Sequence, residues 1–500
     1  MAELVQEIQT PNGFHYRQPL GLFINNEFAP SSNGQIIQAI DPATEKLITR
    51  VQAATEEDVD KAVRAARNAL VNSPWTSLEG TERGILISKL ADLVEENKEL
   101  LASIDAWDNG KPFSVALNED LPETINTLRY YAGWADKIFG QTISTTSSKF
   151  AYTLRLPIGV VAQIIPWNYP LSMAAWKLGP ALACGNTIVL KAAEQTPLSI
   201  LMLGQLIKQA GFPPGVVNLL NGLGRITGSA LVKHALVDKV AFTGSTVTAK
   251  TILKMAAETL KNVTIETGGK SPLLVFSDAD IEQAVRWSHL GIMSHQGQIC
   301  TATSRILVQH DLYDSFVSQF KERIKTTSII GDQWGKDTYH GPQVSKDQYN
   351  CILSYIQEGQ KEGATLEMGG KACPINGKGY FILPTVFTNV EDHMTIYREE
   401  IFGPVVVISS FSTEEEAISR ANDSIYGLGA AVFTRDLERA HRVAASIESG
   451  TVWVNSSQDC DPRIPFGGVK QSGIGRELGE AALDAYTQIK AIHVNLGSKL

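Results

Sequence analysis

Cysteine is scarce in this chain. There are five in 500 residues, Cys184, Cys300, Cys351, Cys373 and Cys460, and no two are spaced as C-x-x-C. An odd, scattered set gives neither a disulfide framework nor zinc-ligand spacing, so no metal site is expected and a reducing compartment is. There is no run of about 18 apolar residues, which excludes a membrane-spanning helix of the usual kind. The first residues, MAELVQEIQT, lack a basic stretch followed by an apolar one, so no secretory signal is expected. Positive charge is in deficit: 44 Lys and Arg stand against 53 Asp and Glu, a net charge of -9. Nucleic acid and anionic membrane surfaces, which call for a basic patch, are therefore excluded as main partners. Repeats at a period of roughly 20 to 50 residues and low-complexity linkers are also missing. What remains is an ordinary globular balance, 43% apolar and 19% charged. The chain is too long for one core, so two or three domains are expected.

What is present alternates between two periodicities. TEEDVDKAVRAARNAL opens with Thr55 and Asp58 in capping-box spacing and puts Val59, Ala62, Val63, Ala66 and Leu70 on one stripe of a helix. From residue 158 come short apolar runs, IGVVAQIIP, NTIVLK, GVVNLL and KVAFTG, separated by helical stretches such as PLSILMLGQLIKQAG. A second set follows near residue 270, with PLLVF, SRILVQ, PVVVISSF and GTVWVN. Unbroken apolar strands alternating with helices predict parallel sheets covered on both faces. The simplest assembly is two α/β domains with a cleft between them.

Ligands in such folds bind beyond the carboxyl ends of the strands. The polar residues there are Trp167 and Asn168 after the first run, Lys191 with Glu194 after the second, and GSTVTAK after KVAFTG. Ser245, at the start of a helix, is either a simple N-cap or a hydroxyl for a bound phosphate. GLGRITG, residues 222 to 228, imitates a dinucleotide fingerprint, but its last glycine falls one residue late for G-x-G-x-x-G.

Two stretches carry chemistry. Cys300, in HQGQICTATS, sits among small and polar residues where a packing cysteine has no apolar company. Glu266, in IETGGKSP, precedes two glycines that let backbone or substrate approach. Either residue alone reads as packing or as a solvated carboxylate. Together, a thiol nucleophile, a carboxylate base and the Asn168 amide make an acyl-transfer set. His295 shows no cysteine-protease spacing and reads as a pocket-wall or surface residue.

The motifs PWNYP, LKAAEQTP, FTGST, ETGGKSP, GQIC, EEIFGPV and PFGGVKQSGIGREL, in this order over residues 166 to 478, resemble the aldehyde dehydrogenase superfamily. LFINNEF and DPATEK extend the likeness towards the start, and the final stretches most resemble fungal members of its NAD-dependent hydrolytic branch. The resemblance implies an α/β, aldehyde dehydrogenase-like fold: two parallel-sheet domains, a Rossmann-like cofactor domain and a catalytic domain, with a small β oligomerisation arm. It divides the chain into residues 1–137 and 157–268 for NAD binding, 269–470 for catalysis, a return to the NAD-binding domain over 471–486, and an arm built from 138–156 and 487–500.

The resemblance also implies roles. Cys300 is the nucleophile and Glu266 the deacylation base, with the Asn168 amide and the Cys300 N–H as oxyanion donors. Lys177 and Glu477 support proton transfer. Lys191 and Glu194 hold the adenosine ribose. Ile164, Trp167, Gly244 and Ser245 stand on the cofactor side near the pyrophosphate, and Glu400 with Phe402 at the nicotinamide end. The phosphate contact then falls at FTGST, not at GLGRITG. One departure is Ala249, where the family often has glycine. NAD is the implied cofactor, with NADP possible. The implied reaction oxidises an aldehyde to a carboxylic acid through a thiohemiacetal and a thioester on cysteine. Glu266 separates this chain from the CoA-acylating branch, and a non-enzymatic structural relative is the other alternative.

Tyr169, Met173, Trp176, Ile299, Thr301, Cys460 and Phe466 are the implied substrate pocket. Tyr169, Trp176 and S-Q-x-C resemble aminoaldehyde and betaine-aldehyde dehydrogenases. Ser294 and Phe466 stand where those enzymes carry tryptophan, so a cage for quaternary ammonium is incomplete. The resemblance further implies a homodimer or homotetramer in which the 138–156 connection pairs with AIHVN of a neighbouring subunit. The terminal Ser498, Lys499 and Leu500 form a tripeptide read by the peroxisomal import receptor, so a peroxisomal location is expected, with the cytoplasm as the alternative.

Overall fold

The computed structural model describes residues 4–497 of the chain; Ser498, Lys499 and Leu500, the expected import signal, lie outside the described residues. Two large sheets organise the chain. The first has eight strands, in the order Gly473–Ile474, Asn262–Glu266, Lys239–Thr243, Val160–Ile164, Thr187–Lys191, Val217–Leu220, Leu22–Ile24 and Glu27–Ala29. Its five central strands are mutually parallel, and the flanking strands join antiparallel. Val160–Ile164 and Thr187–Lys191 are buried at every position. That is why they read as unbroken apolar runs and not as alternating ones. The four apolar runs found in the sequence from residue 158 are thus neighbouring or next-neighbouring strands of one sheet, and their carboxyl ends open on one side.

The second sheet has seven strands, in the order Thr365–Met368, Thr385–Thr388, Val405–Phe411, Arg305–Gln309, Pro272–Val275, Gly429–Phe433 and Thr451–Val454. All pairings are parallel except at Thr365–Met368. Helices Ile281–Met293 and Tyr313–Thr327 follow two of its strands, as crossover connections require.

Helix Glu56–Asn72 starts as its sequence dictates. Thr55 accepts from the Asp58 amide at 3.3 Å, and Asp58 returns the bond to the Thr55 amide at 3.0 Å. Such a cap is worth about 1 kcal/mol. Val59, Ala62, Val63 and Ala66 are buried beneath it, with Leu70 half-buried.

The third sheet corrects an expectation. Strand Thr487–Asn495 pairs with Lys149–Pro157 of its own chain, not of a neighbour, with Ile489 opposite Arg155 and Ile492 opposite Tyr152. Thr142–Ile143 completes this sheet on the far side. Nine successive residues can zip together within the chain because the two strands leave the first domain side by side, next to Tyr486 and Ile158. Among the described residues no strand pairs with the outer side of Thr487–Asn495.

Candidate active site

Four parallel strands of the first sheet end at one cleft. Ile164, Lys191, Thr243 and Glu266 are their last residues. The cleft holds a cavity of about 280 Å³ between the two domains. Glu266, Cys300, Asn168 and Glu477 face it from the centre, and Trp167, Gly244, Ser245, Glu400 and Phe402 form one part of its wall. Tyr169, Met173, Trp176 and Phe466 form the other. Residues as far apart in sequence as Trp167 and Glu477 meet here because strand ends and the return segment after residue 470 converge on it.

Cys300 follows a distorted turn. His295, Gln296 and Gly297 have φ of 46°, 55° and 72°, and the first two are non-glycine residues in the left-handed region. Such backbone is costly and persists where its surroundings hold it. Gly297 has no alternative: a side chain there would lie 2.1 Å from the Gly403 carbonyl oxygen. The turn delivers Cys300 with its sulfur facing the amides of Thr301 and of Cys300 itself. Burial first, then the Glu400 and Glu266 carboxylates, push the thiol up to about 12.

Glu266 ends its strand at 2% exposure. Neither carboxylate oxygen has a hydrogen bond of good geometry among the described residues, although the Gly468 amide approaches. Burial, and then the charge of Glu477, hold it well above the usual carboxylate range, against the pull of Lys177 and Arg476. An unbonded carboxyl in a dry site is ready to exchange a proton with a small molecule beside it.

The two glycines after Glu266 admit close approaches. A side chain on Gly268 would collide with the Glu400 carboxylate at 1.9 Å, and one on Gly269 with the Cys300 carbonyl oxygen at 2.9 Å. Glu400 accepts from the Gly269 amide at 3.3 Å, and burial raises it to about 7. Gln348 ties down the following turn by donating to the carbonyls of Phe402 and Ile401 at 2.9 and 3.3 Å. Phe402, at φ 56°, then meets Trp167 edge-on with ring centres 5.3 Å apart.

Asn168 donates one amide hydrogen to the Gln298 carbonyl at 3.0 Å. An amide carries two such hydrogens, so this bond fixes the group and leaves the second donor for an oxygen in the cavity. Behind the wall, Lys177 bonds Glu477 and, at 2.8 Å, the Thr243 hydroxyl. Both partners of the ion pair are almost wholly buried.

Lys191 and Glu194 stand 3.5 Å apart at the next strand end, where burial lowers the lysine. The other Glu194 oxygen accepts from the Gly224 amide at 2.5 Å. The helical turn Gly224–Gly228 within GLGRITG thus supports the Glu194 carboxylate. Ser245 caps helix Thr246–Ala257, accepting from Thr248 at 3.3 Å, and also faces the cleft. Ala249 is 3% exposed and packs in a core with Phe242 and Ile252, where its methyl contributes to packing without changing the cap.

Some expected residues lie elsewhere. Ile164, Lys177, Lys191, Glu194, Ile299, Thr301 and Cys460 do not line this cavity. Ile299 is 8% exposed and joins the core of the second domain. Thr301 is bonded to Gln458 at 2.6 Å, and the Cys460 thiol to Glu123 at 3.4 Å. His295 is not a surface residue: it is 2% exposed and packs edge-on to Tyr169 at 5.2 Å. Sequence reading missed Gln348, Cys351 and Tyr355, which reach the cavity from helix Lys346–Lys361. Their spacing of three and four residues was the available signal.

The pieces fit a dinucleotide. The N-terminus of helix Thr246–Ala257 faces the cleft at Ser245, where a phosphate would sit, Glu194 presents a carboxylate to ribose hydroxyls, and the Glu400 carboxyl, with Lys270 as its charged neighbour, makes no ion pair among the described residues. Among the described residues no cluster of His, Cys, Asp and Glu could hold a metal ion.

Comparison with known proteins agrees. The family model described as "Aldehyde dehydrogenase family" matches residues 28–492. Aldehyde dehydrogenase of Emericella nidulans is 53% identical, over all of both chains. Aldehyde dehydrogenase [NAD(P)+] 1 of Saccharomyces cerevisiae is 50% identical over 99% of each. The NAD+ complex of aldehyde dehydrogenase from Bacillus cereus superimposes with a TM-score of 0.94 at 50% identity, covering 96% of this chain and 97% of that one. Betaine aldehyde dehydrogenase of Staphylococcus aureus in complex with NAD+ gives 0.95 at 40% identity, over 97% and 96%.

Proposed function

This chain belongs to the aldehyde dehydrogenase family and oxidises an aldehyde to a carboxylic acid with NAD as cofactor, and we propose that Cys300 is the nucleophile of that reaction and Glu266 the base that completes it. The observation that carries this is the meeting of Cys300, Glu266 and the Asn168 amide on one cavity.

The Cys300 sulfur attacks the aldehyde carbon, a C–S bond forms, and the carbonyl electron pair moves to oxygen. That oxygen develops its charge against the free Asn168 N–H and the Cys300 amide, donors fixed in place beforehand. Lys191, Glu194, Ser245 and Glu400 would hold NAD, which would supply the acceptor for the hydride that leaves the carbon as the C=O bond re-forms. The acyl group is then left on sulfur as a thioester. Glu266 removes a proton from water, whose oxygen bonds the acyl carbon, and the C–S bond breaks to release the acid and the thiolate. Lys177 and Glu477 keep a charged pair behind Glu266 through which its proton can be traded.

The same proposal covers assembly and place. The open edge of Thr487–Asn495, with Phe150, Leu154 and Ile489 exposed on the same sheet, supports association with a second copy of this chain. The tripeptide Ser498, Lys499 and Leu500 supports peroxisomal import. An N-terminal fluorescent fusion with and without Leu500 tests it: punctate signal that turns diffuse supports import, and diffuse signal in both rejects it.

The chemistry is tested by Cys300→Ala. Aldehyde oxidation is expected to vanish while NAD binding, followed by fluorescence, persists. Appreciable turnover by that variant would place the nucleophile elsewhere.

A further inference from the structure

The loop after strand Thr451–Val454, residues 455–466, reaches back to the turn that carries Cys300, and Gln458 makes the connection. The Thr301 hydroxyl donates to the side-chain oxygen of Gln458 at 2.6 Å. The side-chain nitrogen of Gln458 donates to the Thr301 carbonyl at 3.0 Å and to the Gly291 carbonyl at 3.3 Å. Carbonyl oxygens only accept, so this amide sits one way round, nitrogen to the two carbonyls and oxygen to the hydroxyl. Two of the three bonds grip a single residue, the neighbour of the nucleophile.

The grip is held in place under backbone strain. Gln458 has φ 66°, in the left-handed region, where a residue other than glycine persists when its surroundings fix it. The Trp453 indole donates to the Asp459 carbonyl at 3.0 Å, Gln283 donates to the Asn455 carbonyl at 3.0 Å, and the Cys460 thiol is bonded to Glu123 at 3.4 Å. The loop is thereby tied down on both sides of Gln458. Helix Ile281–Met293 closes in from elsewhere: a side chain on Gly291 would lie 2.2 Å from the Thr303 hydroxyl and 2.9 Å from that of Ser457. The Gly291 carbonyl also accepts from the Thr303 amide at 3.0 Å. Thr301 is held through Gln458 and Thr303 through Gly291, so the stretch after Cys300 is pinned at alternate residues. Thr301 does not line the cavity, yet its amide faces the Cys300 sulfur, where an N–H favours thiolate over thiol. Such a donor acts only at a set distance and angle, and Gln458 fixes its residue by both side chain and carbonyl.

We propose that Gln458 is a positioning residue for the nucleophile: by clamping Thr301 it holds the amide that faces the Cys300 sulfur and keeps that sulfur aimed at the aldehyde carbon. This deepens the reading of Cys300 as nucleophile and rests on it. Gln458 does not line the cavity and acts through Thr301. Because Phe466 of the same loop does line it, the clamp also ties the substrate wall to the nucleophile.

The test takes Gln458→Met, which keeps the length of glutamine and its backbone and removes all three bonds, and Thr301→Val, which removes one. Two rates are read. One is single-turnover NADH formation with saturating propionaldehyde and NAD. The other is alkylation of the Cys300 peptide by iodoacetamide at about pH 8 without cofactor, followed by mass spectrometry. In Gln458→Met the first should fall by about tenfold to a hundredfold, since a small misplacement of a reacting atom suffices for that. The second should fall by about threefold to tenfold as the thiolate loses a donor. NAD affinity and the KM for propionaldehyde should stay within about twofold of native. Thr301→Val should lose less in both rates, and the double variant should be no slower than Gln458→Met, because both changes break one clamp. Gln458→Glu keeps an acceptor for the hydroxyl but sets a carboxylate against two carbonyls, and should rescue neither rate. Native rates in Gln458→Met, or a loss confined to KM, overturn the proposal. If Gln458→Met does not fold, Thr301→Val decides, and native rates in it overturn the proposal likewise. The alkylation arm needs no substrate and reads the clamp by itself. Turnover of propionaldehyde by Cys300→Ala would remove the nucleophile, whereas an inactive Cys300→Ala beside a fully active Gln458→Met would remove only the clamp.

Discussion

Lys177 and Glu477, 300 residues apart in sequence, are bonded to each other in the interior, and each is 3% exposed or less. The pair joins helix Pro170–Ala183, which follows strand Val160–Ile164, to the segment that returns from the second domain. Removing one partner strands a charge in a dry site. Lys177→Met should therefore cost about 3–5 kcal/mol, read as a lowered urea midpoint. Lys177→Met with Glu477→Leu should recover much of that stability without recovering activity. A single variant as stable as the native protein would show the pair to be solvated.

Glu266→Gln separates the two halves of the reaction. Acylation of Cys300 needs no base at that position once the thiolate has formed, but hydrolysis does. Rapid mixing should give a burst of NADH equal to the enzyme, followed by a steady state slower by a factor of about 100 or more. A steady rate matching the native enzyme, with no burst, would remove Glu266 from deacylation.

The raised thiol predicts a pH profile. Only the thiolate is alkylated, and Cys300 is pushed up to about 12, so the thiolate fraction at neutral pH is small and grows with pH. Without cofactor, alkylation of the Cys300 peptide by iodoacetamide, followed by mass spectrometry, should climb about tenfold per pH unit between roughly pH 7 and 9. A plateau near pH 8.5, the ordinary cysteine range, would contradict the burial of this sulfur.

Glu194 is expected to set cofactor choice. Its carboxylate is steadied by the Gly224 amide, and as an acceptor it should favour a ribose 2′-hydroxyl over a 2′-phosphate. NAD should be preferred by about tenfold or more in kcat/KM, and Glu194→Gln should shrink that margin. Lys191, 3.5 Å away, keeps NADP usable. Equal use of both cofactors by the native enzyme would deny Glu194 this role.

An open strand edge predicts assembly. Light scattering should report a multiple of 54.4 kDa, and Ile489→Lys should shift it towards that single mass. A stable native monomer would refute the assignment of this edge.

The sequence reading succeeded where one physical cause dominates. Val160–Ile164 and Thr187–Lys191 are buried on both faces, so their composition is unambiguous. Cys300 stood out because small, polar neighbours are the mark of a crowded turn. Glu123 did not, because it lies in a charged stretch, ALNEDLPET, that reads as a solvated helix face; only the fold brings Trp176 and Cys460 to it. Gln348, Cys351 and Tyr355 were hidden by an ordinary amphipathic helix. The destination of AIHVN was misread since alternation announces a strand but not its partner. Strand Gly473–Ile474 is too short for any periodicity to mark.

That two-residue strand closes the edge beside Glu266: Gly473 pairs with Glu266, and Glu477 follows four residues on. Both are made after the second sheet. A nascent chain of 470 residues already holds Cys300 and Glu266, yet lacks the edge that walls in the carboxyl and the partner that holds Lys177. The first domain cannot close on the ribosome ahead of the second, because its last strand is encoded after it. A closed cavity thus waits for the second domain to be made, and shorter nascent chains carry Cys300 without the walls around it.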